Sequence, residues 1–155
     1  MEFRIRRAGV EDVDHVLRHR RAMFEEIGTR NAAVLDCVGR VSREYFLRAL
    51  GDETYIGWLA EDRESANVVG GGGIVVANWP GYPGEKLAQR AWILNMYTEP
   101  EVRRKGIARE LMNVMIDWCR RKGFGIVSLH ASAAGRPLYG ELGFQATNEM
   151  ALRLQ

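Results

Sequence analysis

Six residues, Arg103-Arg104-Lys105-Gly106-Ile107-Ala108, constrain this chain more than any other stretch. They follow an apolar run of strand character, Trp92 to Tyr97, and open a helical pattern that continues to about Lys122. A tight glycine turn between a strand and a helix start leaves several backbone N–H groups unpaired and pointing one way. Those donors, the positive end of the helix dipole and three adjacent cations form a seat for phosphate. A basic surface turn with a glycine for its backbone is the plainer reading of the same residues. The helix that follows is easier to read. Ala108, Leu111, Met112, Met115 and Cys119 share one face, which is a core-packing stripe, and Lys122-Gly123 supplies the cation and glycine that helix C-termini favour.

Around that segment the chain alternates strand and helix patterns. Phe3-Arg4-Ile5 is a short first strand, and Val13, Val16, Leu17, Phe24 and Ile27 mark one face of a helix from Glu11 to Ile27 that Gly28 stops. A second helix is expected from about Val41 to Leu50. Strands follow over Thr54 to Ala60, Val68 to Ala77 and Ala88 to Tyr97. Gly70 to Gly73 interrupt the second of these. They lack the Lys-Ser/Thr ending of a P-loop and read as a bend or bulge where the strand meets a ligand or a neighbour. Asn78 to Gly84 is a turn-rich loop between two antiparallel strands, placed to overhang a site. After the phosphate-turn helix come a strand from Gly125 to Ala131, a short helix around Pro137 to Leu142 and a closing strand from Phe144 to Leu154. The order β-α-α-β-β-β-α-β-α-β has no internal repeat and no linker. It predicts one α/β domain over residues 1–155, a mixed sheet flanked by helices.

Composition excludes several classes. A net charge of +2, with basic residues scattered among acidic ones, makes no stripe for nucleic acid. Two cysteines and three dispersed histidines give neither a disulfide framework nor a metal spacing, so no metal is expected, and Cys119 reads as a core thiol. No apolar run approaches membrane-spanning length, and the first residues, MEFRIRRAGVED, lack the apolar core of a signal peptide. The expected location is a reducing cytoplasm, with no membrane partner.

Three features together resemble the GNAT superfamily of acyl-CoA-dependent N-acyltransferases. Thr98-Glu99-Pro100-Glu101-Val102-Arg103-Arg104-Lys105-Gly106-Ile107-Ala108 is similar to the family's V-x-P-x-x-[QR]-x-x-G-x-[GA] segment, with Thr98 in place of valine. Leu138-Tyr139-Gly140-Glu141-Leu142-Gly143-Phe144 is similar to its L-Y-x-x-x-G-F segment. The element order is the third. The resemblance implies a GNAT-like fold, with a central, mostly antiparallel sheet.

It also implies a chemistry: transfer of an acetyl group from acetyl-CoA to a primary amine by direct attack on the thioester. The pyrophosphate of coenzyme A would sit on the backbone N–H groups of Arg104, Lys105, Gly106, Ile107, Ala108 and Arg109, with Arg103 and its basic neighbours adding charge. The pantetheine arm would pair with the backbone of Met96, Tyr97 and Thr98, where an N–H would also polarise the thioester carbonyl. Ser132 stands where the family often has a cofactor-contacting Asn. Tyr139 is the expected general acid, protonating the leaving thiolate; packing of a short helix on the sheet is the alternative use of its ring.

An amine acceptor must lose a proton before it attacks. Two positions that carry a glutamate in relatives hold Trp92 and Val127 here. His130 could serve as base, as could a water chain. Phe24, Glu25 and Glu26 lie where relatives commonly bind acceptor, and Trp92 suggests an aromatic acceptor pocket. A small cationic amine suits these residues better than a large acidic partner. A homodimer is compatible with the sequence but not required by it. A non-catalytic acyl-CoA-binding or regulatory domain, and a nucleotide-binding module, are the competing readings.

Overall fold

The computed structural model describes residues 2–154; Met1 and Gln155, at the ends of the expected domain, lie outside it. In chain order the elements are β1 (Phe3–Arg7), a 3-10 turn (Val10–Asp12), α1 (Val13–Glu26), α2 (Ala32–Gly51), β2 (Tyr55–Asp62), β3 (Val68–Asn78), β4 (Gln89–Thr98), a second 3-10 turn (Pro100–Val102), α3 (Ile107–Lys122), β5 (Val127–Leu129) and α4 (Arg136–Glu141). The strands form one sheet in the order β1-β2-β3-β4-β5. The first three pairings are antiparallel and β4–β5 is parallel. A parallel pair needs a crossover, and α3 supplies it. The mixed α/β class expected from the sequence is the class observed.

Both faces of the sheet are covered, and β2 shows how. Ile56, Trp58 and Ala60 face one core with Ile74, Ala91, Ile93 and the α3 stripe, while Tyr55 and Leu59 face the other with Val16, Phe46 and Leu50 from α1 and α2. The period of two sends alternate residues to opposite layers. At the edge, Arg6 joins two buried carboxylates. Its guanidinium donates to both oxygens of Asp12 at 2.7 Å and also pairs with Glu61. Arg6 holds Asp12 below the usual carboxylate range, against the effect of burial.

Three expected elements differ. The second helix begins at Ala32 rather than near Val41, because Asn31 caps it: its side-chain oxygen accepts the N–H groups of Ala33 (3.0 Å) and Val34 (3.3 Å). Exposed Val34 and Val41 had diluted the periodicity of the buried stripe, Leu35, Ser42, Phe46 and Ala49. The strand expected over Gly125 to Ala131 shrinks to β5, since Gly125 and Ile126 donate their N–H groups to the Glu85 carboxylate instead of a ladder. The closing strand, Phe144 to Leu154, does not form. The N–H of Phe144 bonds to the Tyr139 carbonyl, and beyond it no backbone group makes a hydrogen bond among the described residues. Strand sequence forms a strand only where a ladder partner lies alongside, and this segment faces a groove.

Candidate active site

The site begins with a fault in the sheet. β4 and β5 pair from Ala91↔Val127 to Ile93↔Leu129 and no further, although β4 continues to Thr98. Two residues later Asn95 adopts a positive φ of 59°, and the β3–β4 register shifts between Gly71 and Gly73. That bulge is anchored from inside. The Asn95 side chain donates to the Tyr55 hydroxyl (3.1 Å) and accepts from Arg20 (2.8 Å), which also donates to Ser42 (3.1 Å). The glycine run fits closely here: a side chain on Gly72 would run into Met96 Sδ, and one on Gly73 into the Tyr55 ring. The run is therefore a bulged strand pressed against its neighbours, as its sequence suggests. Its consequence is an open edge: Leu94, Tyr97 and Thr98 pair with β3 on one side, and from Leu94 to Thr98 the other side has no ladder partner among the described residues.

At the end of that edge lies the glycine turn before α3. Arg104 and Gly106 have φ of 65° and 87°, which turns the chain sharply into α3. The first α3-region N–H to find a carbonyl is that of Glu110, on Gly106 O at 3.0 Å. Among the described residues the N–H groups of Arg104 through Arg109 make no hydrogen bond. A Cβ on Gly106 would meet no atom within 4 Å, so glycine serves the backbone angle and leaves room above the turn. The basic side chains divide their work. Arg104 and Lys105 are exposed and unpaired among the described residues. Arg103 instead braces the turn, donating to the Thr98 carbonyl at 3.0 Å and pairing with Glu26, and Arg109 pairs with Glu141. Ile107 is buried and Ala108 half-buried.

Tyr139 stands on α4. Its ring packs on Gly135, where even a methyl would clash, and meets Phe144 edge-on at 6.0 Å. Burial pushes its phenol pKa up, so it is a proton donor at neutral pH. The hydroxyl has no hydrogen-bond partner among the described residues and lines the groove. Ser132 holds the turn before α4: its hydroxyl accepts the Gly135 N–H (3.1 Å) and its carbonyl the Arg136 N–H (3.0 Å).

That groove measures about 1120 Å³ and brings Tyr139 together with Trp92 and His130. Trp92 and His130 meet edge to face, and His130 Nε2 lies 3.1 Å from a Glu149 oxygen. The Arg90 guanidinium sits over both Trp92 (4.5 Å) and Trp79 (5.1 Å). Phe24, Glu25 and Glu26 are not among its lining residues. Phe24 lies under the Arg20 guanidinium at 4.8 Å, Glu25 pairs with Arg21 at 3.1 Å and Glu26 with Arg103. Sequence reasoning missed Glu149, because an acidic residue in an expected strand gives no signal of reaching His130. It also missed His19, buried beside Tyr97 with ring centroids 5.2 Å apart. Burial, aided by the neighbouring Arg18 charge, pushes the His19 pKa down to about 3.

Residues 17–144 match the family model described as the acetyltransferase (GNAT) family. The chain belongs to the GNAT family. Its fold is similar to that of a GCN5-related N-acetyltransferase from Ralstonia eutropha, with 34% identity, 99% of each chain covered and a TM-score of 0.92. A predicted acetyltransferase from Clostridium acetobutylicum, solved with acetyl-CoA, shares 25% identity over 99% of this chain and 96% of that one, with a TM-score of 0.88. An aminoglycoside antibiotic 6'-N-acetyltransferase from Acinetobacter baumannii, at 14% identity with 99% and 98% coverage and a TM-score of 0.72, shares the GNAT fold. No protein of curated function matches the chain. The open edge of β4, the turn before α3 and Tyr139 thus sit in a GNAT framework matched over nearly the whole chain.

Proposed function

We propose that this GNAT protein transfers an acetyl group from acetyl-CoA to a primary amine, by direct attack and without a covalent enzyme intermediate. One observation carries the reading: the edge Leu94–Thr98, without a second ladder partner among the described residues, runs into a turn whose N–H groups, Arg104 to Arg109, make no hydrogen bond there. Free donors at a helix start fit a pyrophosphate, and a free strand edge fits an extended amide-bearing arm. When bound, acetyl-CoA supplies a thioester whose carbonyl carbon is open to an amine. An N–H on the β4 edge stabilises negative charge on the carbonyl oxygen. His130 takes a proton from the acceptor nitrogen as the N–C bond forms, and Glu149 orients its ring. Tyr139 gives its proton to the sulfur as the C–S bond breaks. Cys119 takes no part: it is buried in the α3 core and its thiol pKa is pushed up to about 11. Glu149, beside the aromatic lining of Trp79, Tyr82 and Trp92, suits a small cationic amine, while the Arg90 guanidinium already covers the faces of Trp79 and Trp92.

Calorimetric titration with acetyl-CoA, with ATP as control, tests the donor half. Micromolar binding that is absent with ATP and lost in Gly106→Glu is expected; a folded protein that does not bind acetyl-CoA would overturn the reading. Release of free thiol against a panel of small amines tests the transfer half.

A further inference from the structure

A second cavity, of about 570 Å³, shares Trp79, Arg90, Trp92 and Glu149 with the groove that holds His130 and Tyr139. Its remaining walls are mostly hydrocarbon. Strand register sets Val75 opposite Trp92 and Ala77 opposite Arg90, and the period of two adds Leu94 to the same face of the sheet. The alternate residues Ile74, Ala91 and Ile93 go to the α3 core, so this apolar face is turned away from it.

Arg90 lies where the two cavities meet, and its hydrogen-bonding capacity is unspent. The guanidinium rests over Trp92 at 4.5 Å and Trp79 at 5.1 Å. Contact with two rings fixes the fork without using its N–H donors. Those donors make no hydrogen bond among the described residues. One Glu149 oxygen lies 3.8 Å from Arg90 Nη2, beyond hydrogen-bond reach, and the other is 3.1 Å from His130 Nε2. A fixed fork with open donors matches a carboxylate, which it holds bidentately. Arg90 is also the only cation lining the smaller cavity among the described residues, which suits one negative charge better than the two of a phosphate ester. Glu149 is the only acid lining either cavity among the described residues, so a polycation would find a single partner.

We infer that the acceptor is an α-amino acid with an apolar side chain. Its carboxylate sits on the Arg90 fork, its side chain fills the hollow over Val75, Ala77 and Leu94, and its amine faces His130 and Glu149. An α-amino acid carries both charges on one carbon, which matches a cation and an acid standing 3.8 Å apart. The inference rests on the proposed acetyl transfer and narrows its acceptor. The amine nitrogen bonds to the acetyl carbon as the C–S bond breaks. His130 takes the proton from nitrogen and Tyr139 gives one to sulfur, so the products are an N-acetylamino acid and coenzyme A.

Four probes test it on the wild type: L-leucine, L-aspartate, leucinamide and isoamylamine, which is leucine without its carboxylate. Binding is read by calorimetry, with and without coenzyme A, and turnover with acetyl-CoA by release of free thiol. L-leucine should bind, and its kcat/KM should exceed that of each other probe by about tenfold or more. Arg90→Met keeps an apolar stem on the indoles; with its fold checked by circular dichroism, it should raise the L-leucine KM by about ten- to a hundredfold. The lead of L-leucine over isoamylamine should then collapse, and Arg90→Lys should restore part of it. Arg90-dependent binding of L-leucine without transfer to any amine would support the subsite and count against acetyl transfer. Failure of L-leucine to bind overturns the inference, as does leucinamide, isoamylamine or L-aspartate performing as well. A preference for L-leucine that survives Arg90→Met overturns it too.

Discussion

His130 stands edge-on to Trp92, 4.8 Å between ring centroids and 62° between planes. This contact places a titratable nitrogen in a groove that also holds the Tyr139 hydroxyl. His130→Gln should lower kcat by about 10², the usual worth of a positioned base, while leaving acetyl-CoA affinity unchanged by titration. Glu149→Gln should cost less, since it removes only the group that orients the ring. Trp92→Ala should raise the acceptor KM more than it changes kcat. An unaltered kcat in His130→Gln would show that the proton leaves by water instead.

Tyr139 presents a buried ring and a hydroxyl without a partner, so its two uses separate cleanly. Tyr139→Phe keeps the packing against Gly135 and Phe144 and should lower kcat by about 10² with little change in melting temperature. If turnover survives intact, the ring serves packing alone and the thiolate leaves unassisted.

Gly106 and Gly123 allow a matched comparison. Their φ angles are 87° and 86°, and a Cβ at either would meet nothing within 4 Å. Alanine at each should therefore cost about 1 kcal/mol from the left-handed backbone alone. Only Gly106→Ala, at the N-terminus of α3, should also weaken acetyl-CoA binding; equal losses of affinity in both would point to destabilisation rather than to the turn.

His19 links stability to pH. Folding lowers its pKa from 6.5 to about 3, so between those values the unfolded chain binds the extra proton. Its contribution is complete above pH 6.5 and fades as pH falls toward 3, a loss of about 2 kcal/mol by about pH 5. Urea unfolding across this range should show a shallower pH slope in His19→Gln than in the wild type. Parallel slopes would mean that His19 is protonated in the native state.

Arg6 holds two buried carboxylates at once, Asp12 and Glu61. Arg6→Met leaves both without their main partner and should cost about 3 kcal/mol by denaturant unfolding. A far smaller cost would show that water reaches the two acids.

How much of this was legible from residue types follows a physical line. The α3 stripe, the glycine turn before it and the Tyr139 segment are local patterns, and each lies where its period or turn chemistry put it. The start of α2 was hidden by exposed Val34 and Val41, and only the Asn31 cap marks it. The roles of Arg103 and Glu26 were not legible: both carry charges of the right kind, yet they spend them on each other, a contact between residues 77 positions apart. Glu149 reaches His130 for a similarly non-local reason. The 144–154 segment has strand chemistry without a strand, because a ladder needs a second backbone alongside, which a local residue pattern does not report.

The glycine run of β3 leaves a further mark on the molecule. From Gly70 to Gly73 the strand is bare backbone, and the Tyr97 carbonyl, the Leu59 and Tyr55 side chains and Met96 approach into the volume that its side chains would occupy. Neighbours from β2 and β4 thus grip the middle of the sheet through space that a single methyl would claim. In a saturation scan these four positions should be intolerant of nearly every replacement. Their intolerance would measure fit alone, and a drift of β3 by one residue would meet a wall of side chains on either side.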